Sequence, residues 1–522
     1  MKGISRRDFI NKSSLIAGSG YTTLLALGLI KSAPAQAFNL SATGKEAGKK
    51  VIILGGGLAG LATAYEMTKL GYDCTILEAR TRAGGRVWSV RKGTKETEVG
   101  NKTQVCNFDD GHYLNAGAGR IPHNHEITLK YCRELGIPLE VFTNVNEAAY
   151  YYSHGKGPLA NRSIPIRQIH NDYRGYTCEL LAKAIDQNAL DLPMSKDDVD
   201  KLVEYLRAEG DLNVDKIYKG TERRGYKTNP GAGNMPGEYA DPYQLREILY
   251  SGFTHPAFQN VGEYTYNQQP IMLQPVGGMD QIPRAFEKKL KDKIIFQAQV
   301  KEIRKKEGGV RVVYTDKNNI TKEMSGDYCV CTIPLPVLKS IISDLSTSVK
   351  QAAEAVPYLN VGKIGLQFKR RFWEEDDHIF GGISKTNMPI TQIFYPSNGF
   401  LSQKGVLVGY YNFHHMASEL GSLSIEEREK RALLEGGRIH PQYPAEFENS
   451  FSLAWQHIPY SLGGWAAYTS DIRKANYDVF QEPDGNVYYA GEHTTYLTAW
   501  MAGALSSAQS VVNNIHNRVS KS

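Results

Sequence analysis

Between Lys50 and Arg86 the chain reads KVIILGGGLAGLATAYEMTKLGYDCTILEARTRAGGR, and no other stretch restricts the fold as much. Val51 to Leu54 is a short apolar run, the pattern of a buried strand. Gly55-Gly56-Gly57-Leu58-Ala59-Gly60 fits GxGxxG, and Leu61 to Leu70 has helical spacing. After a turn at Gly71, a second strand through Cys74 to Leu77 ends on Glu78, 18 residues past Gly60. Strand, glycine turn, helix, strand and terminal acid in this order predict a dinucleotide-binding α/β unit. Gly55 permits the tight turn, Gly57 lets backbone approach a pyrophosphate, and Gly60 lets helix and strand pack closely. The diphosphate then faces the free N–H groups where the helix opens, at Leu58 and Ala59, and Glu78 accepts from a ribose hydroxyl.

Directly after the acid comes Ala79-Arg80-Thr81-Arg82-Ala83-Gly84-Gly85-Arg86. A glycine pair followed by arginine gives close backbone approach and a fixed cation for a second pass along the diphosphate. A nicotinamide site does not need this. The segment resembles the signature of the flavin amine oxidases, which implies FAD as cofactor, with Ala79, Arg80, Gly85 and Arg86 beside it.

At 522 residues the chain exceeds one core and implies two or three domains. The formal charge of +6 is concentrated at the N-terminus, where Lys2, Arg6, Arg7, Lys12 and Lys31 less Asp8 leave only about +2 for the rest, so no nucleic-acid partner is implied. Ser5-Arg6-Arg7-Asp8-Phe9-Ile10-Asn11-Lys12, the mildly apolar run Leu15 to Ile30 and Ala35-Gln36-Ala37 have the grammar of a bacterial twin-arginine export signal. Residues 1–37 are therefore expected to engage the twin-arginine export machinery and be cleaved after Ala37, placing the protein in the periplasm or outside the cell. The alternative is an uncleaved anchor, although the run of about 16 residues falls short of a bilayer span. Cys74, Cys106, Cys132, Cys178, Cys329 and Cys331 show neither a disulfide framework nor a metal-type cluster, and Cys329 and Cys331, on one face of the strand Tyr328 to Ile333, are read as core thiols.

Tyr113-Leu114-Asn115-Ala116-Gly117-Ala118-Gly119-Arg120-Ile121-Pro122 supplies small residues that let backbone lie against a flat ring, with an arginine next to them. By itself Arg120 fits a structural ion pair or a ligand contact. The block from Gly119 through Tyr131-Cys132-Arg133-Glu134-Leu135-Gly136 resembles the L-amino acid oxidases, and the resemblance implies that Arg120 grips the substrate carboxylate while Gly117, Ala118, Gly119 and Arg120 border the flavin. In the same way it implies that Val300 meets the adenine, that Lys363 stands by flavin N5 through a water, and that Tyr395 assists the carboxylate. Trp455 and Trp465 would face the ring. Trp465 stands where covalently flavinylated monoamine oxidases carry cysteine, so a noncovalent flavin is expected.

Val487-Tyr488-Tyr489-Ala490-Gly491-Glu492 is a strand ending in Ala-Gly-Glu, and Ala499-Trp500-Met501 opens a long helix to Ile515. Gly491 and Glu492 are placed for ribityl hydroxyls and the diphosphate, and the helix start for the anion. The resemblance places Ala499 and Trp500 at both flavin and substrate amine; alanine stands where the animal enzymes have glycine.

The expected architecture is mixed α/β (α+β): a Rossmann-like, discontinuous FAD-binding domain (48–115, 270–345 and 470–516), a sheet-containing substrate domain (116–146 and 346–469) and a helical insert (147–269). The resemblance implies oxidative deamination of an L-amino acid with molecular oxygen as acceptor, with Lys363 the catalytic candidate and Arg120, Tyr395, Ala499 and Trp500 holding substrate. An oxidase or dehydrogenase acting on amines without a carboxylate, and a flavin-stabilised protein without turnover, are the other two readings. No metal is called for, and a homo-oligomer is left open.

Overall fold

All four side chains of Val51 to Leu54 are buried, and alternation sends Val51 and Ile53 to one apolar cluster and Ile52 and Leu54 to another. A strand with two apolar faces belongs inside a covered parallel sheet. In the computed structural model, which describes residues 40–521 apart from 188, 191–192, 229 and 260–265, strand Lys50–Leu54 is the middle of five. Asp73–Glu78 and Ile294–Phe296 lie on one side of it, Tyr328–Cys331 and Val487–Tyr489 on the other, all parallel. The export signal expected over 1–37 lies outside the described residues.

Helices Leu58–Lys69, Gln281–Leu290 and Met501–Lys521 share the core on the first face. A four-stranded sheet built on Gln299–Lys306 and Gly309–Thr315 shares the core on the second. The run Ile294 to Ile303 is divided between two strands: Gln297 takes a left-handed φ of 55°, so Ile294–Phe296 stays in the parallel sheet and Gln299–Lys306 turns into the smaller one. All six cysteines are buried free thiols.

A second, seven-stranded sheet runs in the order Phe447–Ala454, Val361–Phe368, Gly405–Phe413, Gln392–Phe394, Ile383–Thr386, Tyr150–Tyr152, Ser163–Pro165. Its last two strands fall in the segment expected to be helical from residue 147. Tyr151 pairs with Lys385 and Tyr152 with Thr386, so this piece belongs to the sheet, and the insert's helices begin at Ile166. Helices Ile166–Asp186 and Lys196–Gly210 follow, and a buried Arg224–Asp172 ion pair at 2.7 Å, which Tyr218 also joins, ties the first helix to the segment after the second. Among the described residues no helix is long and apolar enough to cross a membrane, and no acidic, histidine or cysteine cluster could hold a metal ion.

Candidate active site

A cavity of about 370 Å³ opens at the carboxyl ends of the parallel strands, where the connections diverge to the two sides of Lys50–Leu54. Such switch points are where doubly wound sheets take ligands, and the volume suits a cofactor. Two helices begin at this cavity. The first is preceded by Gly57, has no side-chain cap and no acid in its first turn, so its leading N–H groups at the cavity-lining Leu58 and Ala59 are left for an anion. The second begins at Met501, which also lines the cavity.

The glycines divide by role. A Cβ on Gly60 would lie 2.0 Å from the Gly55 carbonyl oxygen, and one on Gly117 would lie 1.7 Å from that of Arg86. At Gly57 a Cβ would meet nothing within 4 Å, so the protein leaves that space open beside the cavity.

Glu78, 3% exposed, ends its strand at the cavity wall. One carboxylate oxygen accepts from the Gly56 N–H at 2.7 Å and the other from the Arg80 N–H at 2.8 Å, which fixes the group and leaves lone pairs for a hydroxyl. Arg80 donates to the Pro459 carbonyl and the Ser461 hydroxyl, joining the strand end to the opposite wall. Arg86 donates to the Gly464 carbonyl and to Glu492 Oε1, both at 2.8 Å. Glu492 also accepts from the Ala466 and Ala499 N–H groups. It is thus a clamp between three separate segments as well as a cavity-lining acid.

Gly55, Ala79, Gly85, Ala118, Val300, Trp455, Trp465, Gly491 and Trp500 complete the expected set on this wall. Trp455 donates its indole N–H to the Ala116 carbonyl at 3.0 Å. Gly60, Gly119 and Arg120, expected at the cofactor, do not line the large cavity. Gly60 acts in helix packing, while Gly119 and Arg120 line a second cavity of about 70 Å³ that meets the first at Tyr411.

That second cavity is where charge is concentrated. The Arg120 guanidinium lies 5.5 Å from the ring of Phe394 and 5.9 Å from that of Phe142. Nη2 donates to Gln268 at 3.0 Å, Nε is buried without a partner, and the side chain has no acidic partner among the described residues. Lys363 is 4% exposed and donates to the Asn115 and Gly117 carbonyls at 3.0 and 2.6 Å. Burial, with Arg120 adding repulsion, pushes its pKa down to about 7.

Tyr395, expected beside Arg120, points elsewhere. It borders the cavity, but its hydroxyl bonds Ser384 at 2.7 Å and His440 at 2.5 Å, with His440 in turn on Asp377 at 2.9 Å. Alternation past Gln392–Phe394 gives the cavity Phe394 and the core Tyr395. The tyrosine that faces Arg120 is Tyr411, on strand Gly405–Phe413, and sequence reasoning missed it. Gly365 pairs with Val408 and Ile364 with Tyr410, so Gly409 is a bulge, and Val408 and Tyr411 line the cavity three residues apart. The Tyr411 hydroxyl has no hydrogen-bond partner among the described residues, and burial raises its pKa to about 12.

Ala499 holds a left-handed φ of 67°, a conformation that costs a side-chain-bearing residue and that glycine adopts freely. Trp500 next to it packs on Phe142, Met272 and Phe394 and stands edge-on to His125 at 5.0 Å.

Residues 58–516 match the family described as flavin-containing amine oxidoreductases. The chain belongs to this family. It is 29% identical over 486 residues (90% of this chain, 95% of the relative) to YobN of Bacillus subtilis (strain 168), whose naming as an L-amino-acid oxidase is provisional. It is 28% identical over 477 residues to the L-amino-acid oxidase of Siganus canaliculatus, covering 90% of this chain and 85% of that one. Cyclohexylamine oxidase from Brevibacterium oxydans IH-35A shares the fold, with a TM-score of 0.61 at 17% identity over 90% of this chain and 99% of that one.

As a flavin amine oxidoreductase the chain binds FAD, and the large cavity, with its uncapped helix start at Leu58, open space at Gly57 and fixed carboxylate, suits a dinucleotide. None of the six cysteines lines either cavity. Its reaction is flavin-dependent oxidation of an amine.

Proposed function

We propose that the amine is the α-amino group of an L-amino acid, oxidised to the imino acid, which water hydrolyses to a 2-oxo acid and ammonia while oxygen is reduced to hydrogen peroxide. The observation that carries this reading is Arg120: a half-buried guanidinium between two phenyl rings, its Nε buried without a partner, with no acidic partner among the described residues. Such a charge is costly unless a ligand completes it, and a carboxylate matches its fork with two parallel bonds. The relatives named as L-amino-acid oxidases support the same reading.

The bound flavin supplies the acceptor for the two electrons and the α-hydrogen. Around it, Arg120 and the Tyr411 hydroxyl hold the carboxylate. Lys363 fixes the Asn115 and Gly117 carbonyls and thereby the backbone of the wall that would border the flavin. Phe142 and Phe394 flank the arginine with apolar surface. The gain comes from positioning rather than from a strong acid or base.

A substrate without a carboxylate is the second reading, favoured by the bond from Arg120 to Gln268, which already gives the guanidinium a neutral partner. Assaying peroxide release from L-amino acids beside the amines that lack only the carboxylate separates the two. Turnover of the acids supports the carboxylate site; turnover of the amines alone overturns it.

For the N-terminus we propose export through the twin-arginine route with removal of residues 1–37. N-terminal sequencing of exported protein should begin at Phe38, and replacing Arg6 and Arg7 with lysine should leave the protein in the cytoplasm.

A further inference from the structure

The polar lining of the small cavity falls into two groups that differ in kind. Arg120, Lys363 and the Tyr411 hydroxyl, which lie against one another, are all donors. The other polar lining residues include Tyr113, Gln274 and Asn398. Gln274 is 4% exposed and donates its amide N–H to Glu140 Oε1 at 2.9 Å. Because a carboxylate accepts only, this bond fixes which way round the amide sits, and the Gln274 carbonyl oxygen is left with no protein donor among the described residues. Asn398 donates its amide N–H to the Tyr113 hydroxyl at 3.3 Å, and its side-chain carbonyl is likewise left without a donor.

Behind Gln274, Glu140 faces no cation: burial raises its pKa, and the Gln274 amide is its partner. The cations beside this group are both already paired: Arg91, over the Tyr113 ring, with Asp280 at 2.7 Å, and Arg371, which donates to the Asn398 backbone carbonyl at 3.1 Å, with Glu374 at 2.7 Å. The small cavity therefore combines a group of donors with a group of acceptors backed by the Glu140 carboxylate. An all-hydrocarbon side chain would leave both amide oxygens buried against it without hydrogen bonds, which is unfavourable.

We propose that this cavity selects an L-amino acid whose side chain ends in an N–H donor, above all a second amino group. The inference rests on the carboxylate reading of Arg120 given above. L-Lysine has this terminus; L-norleucine is nearly its shape without the amino group.

The test compares kcat/KM of the purified holoenzyme for L-lysine, L-glutamine, L-norleucine and L-leucine. L-Lysine should exceed L-norleucine by on the order of tenfold or more, the range for a hydrogen bond to a charged group. Gln274→Leu should bring that ratio close to unity while the visible absorbance of bound flavin is retained. Where that variant fails to hold flavin, Glu140→Gln serves instead and should lower the preference for L-lysine over L-glutamine. L-Norleucine equal to or better than L-lysine, or ratios unmoved by both substitutions, would overturn the proposal and leave the carboxylate reading intact. Failure of all four acids where the matching amines react would overturn that reading first, and this one with it.

Discussion

Arg86 and Glu492 stand 406 residues apart in the chain and meet at 2.8 Å on the wall of the flavin cavity. The first follows the glycine turn; the second follows the last parallel strand. Because Glu492 also accepts from the N–H groups of Ala466 and Ala499, this one carboxylate sets the distance between the turn, the aromatic wall and the start of the second helix.

Glu492→Ala leaves the Arg86 charge without its carboxylate in a largely buried site. The expected cost is about 3 kcal/mol of stability, together with weaker FAD binding. Thermal unfolding with and without added FAD checks it; a melting temperature equal to wild type in both would show that the pair holds nothing together.

Gly57→Ala separates protein from cofactor. The added methyl meets nothing within 4 Å, and the φ of −74° suits any residue, so the cofactor-free protein should be as stable as wild type. Gly60→Ala meets a carbonyl oxygen at 2.0 Å and should destabilise the fold by about 2 kcal/mol or more. FAD affinity should fall in both, whereas the apoprotein melting temperature should fall only in the second.

The turn from Lys50 to Arg86 was legible because its meaning is local: glycine spacing, one strand, one helix and an acid. Tyr411 was not, since the Gly409 bulge breaks the period of two on which a strand face is read, while Tyr395 sits one residue out of phase with Phe394. Tyr150–Tyr152 was hidden in the insert because its neighbour in the sheet, Ile383–Thr386, lies more than 200 residues on. Pairing at that distance leaves no mark in a local window.

Tyr411→Phe and Tyr395→Phe should therefore act on different quantities. The first removes a hydroxyl facing Arg120 and should raise KM for carboxylate substrates several-fold with little effect on stability. The second strips His440 and Ser384 of a buried partner and should cost about 1–3 kcal/mol of stability with KM unchanged. The reverse pattern would restore Tyr395 to the site.

Arg120→Ala removes the charge-assisted bonds on which the carboxylate reading depends. For an amino acid, kcat/KM should fall on the order of 100-fold, the equivalent of roughly 3 kcal/mol, and for the matching amine far less. An equal loss on both would make Arg120 a structural cation.

Lys363 gives the site a pH dependence whose sign can be worked out. The folded protein holds its proton only to about pH 7, against an ordinary lysine value of 10.5, so below that pH two cations face the small cavity and above it one. Protonation opposes folding here, so this group's contribution to stability rises with pH through the window from about 7 to 10.5. Ligand binding runs the other way: a carboxylate favours the charged form, and its affinity should fall as pH rises through about 7. Titrating the flavin spectrum of the holoenzyme with a simple carboxylate inhibitor at a series of pH values measures this directly. In Lys363→Met the affinity should be lower at the acid end and flat across the same range. A wild-type affinity that does not change there would mean that the lysine stays in one protonation state and acts only by holding the Asn115 and Gly117 carbonyls in place.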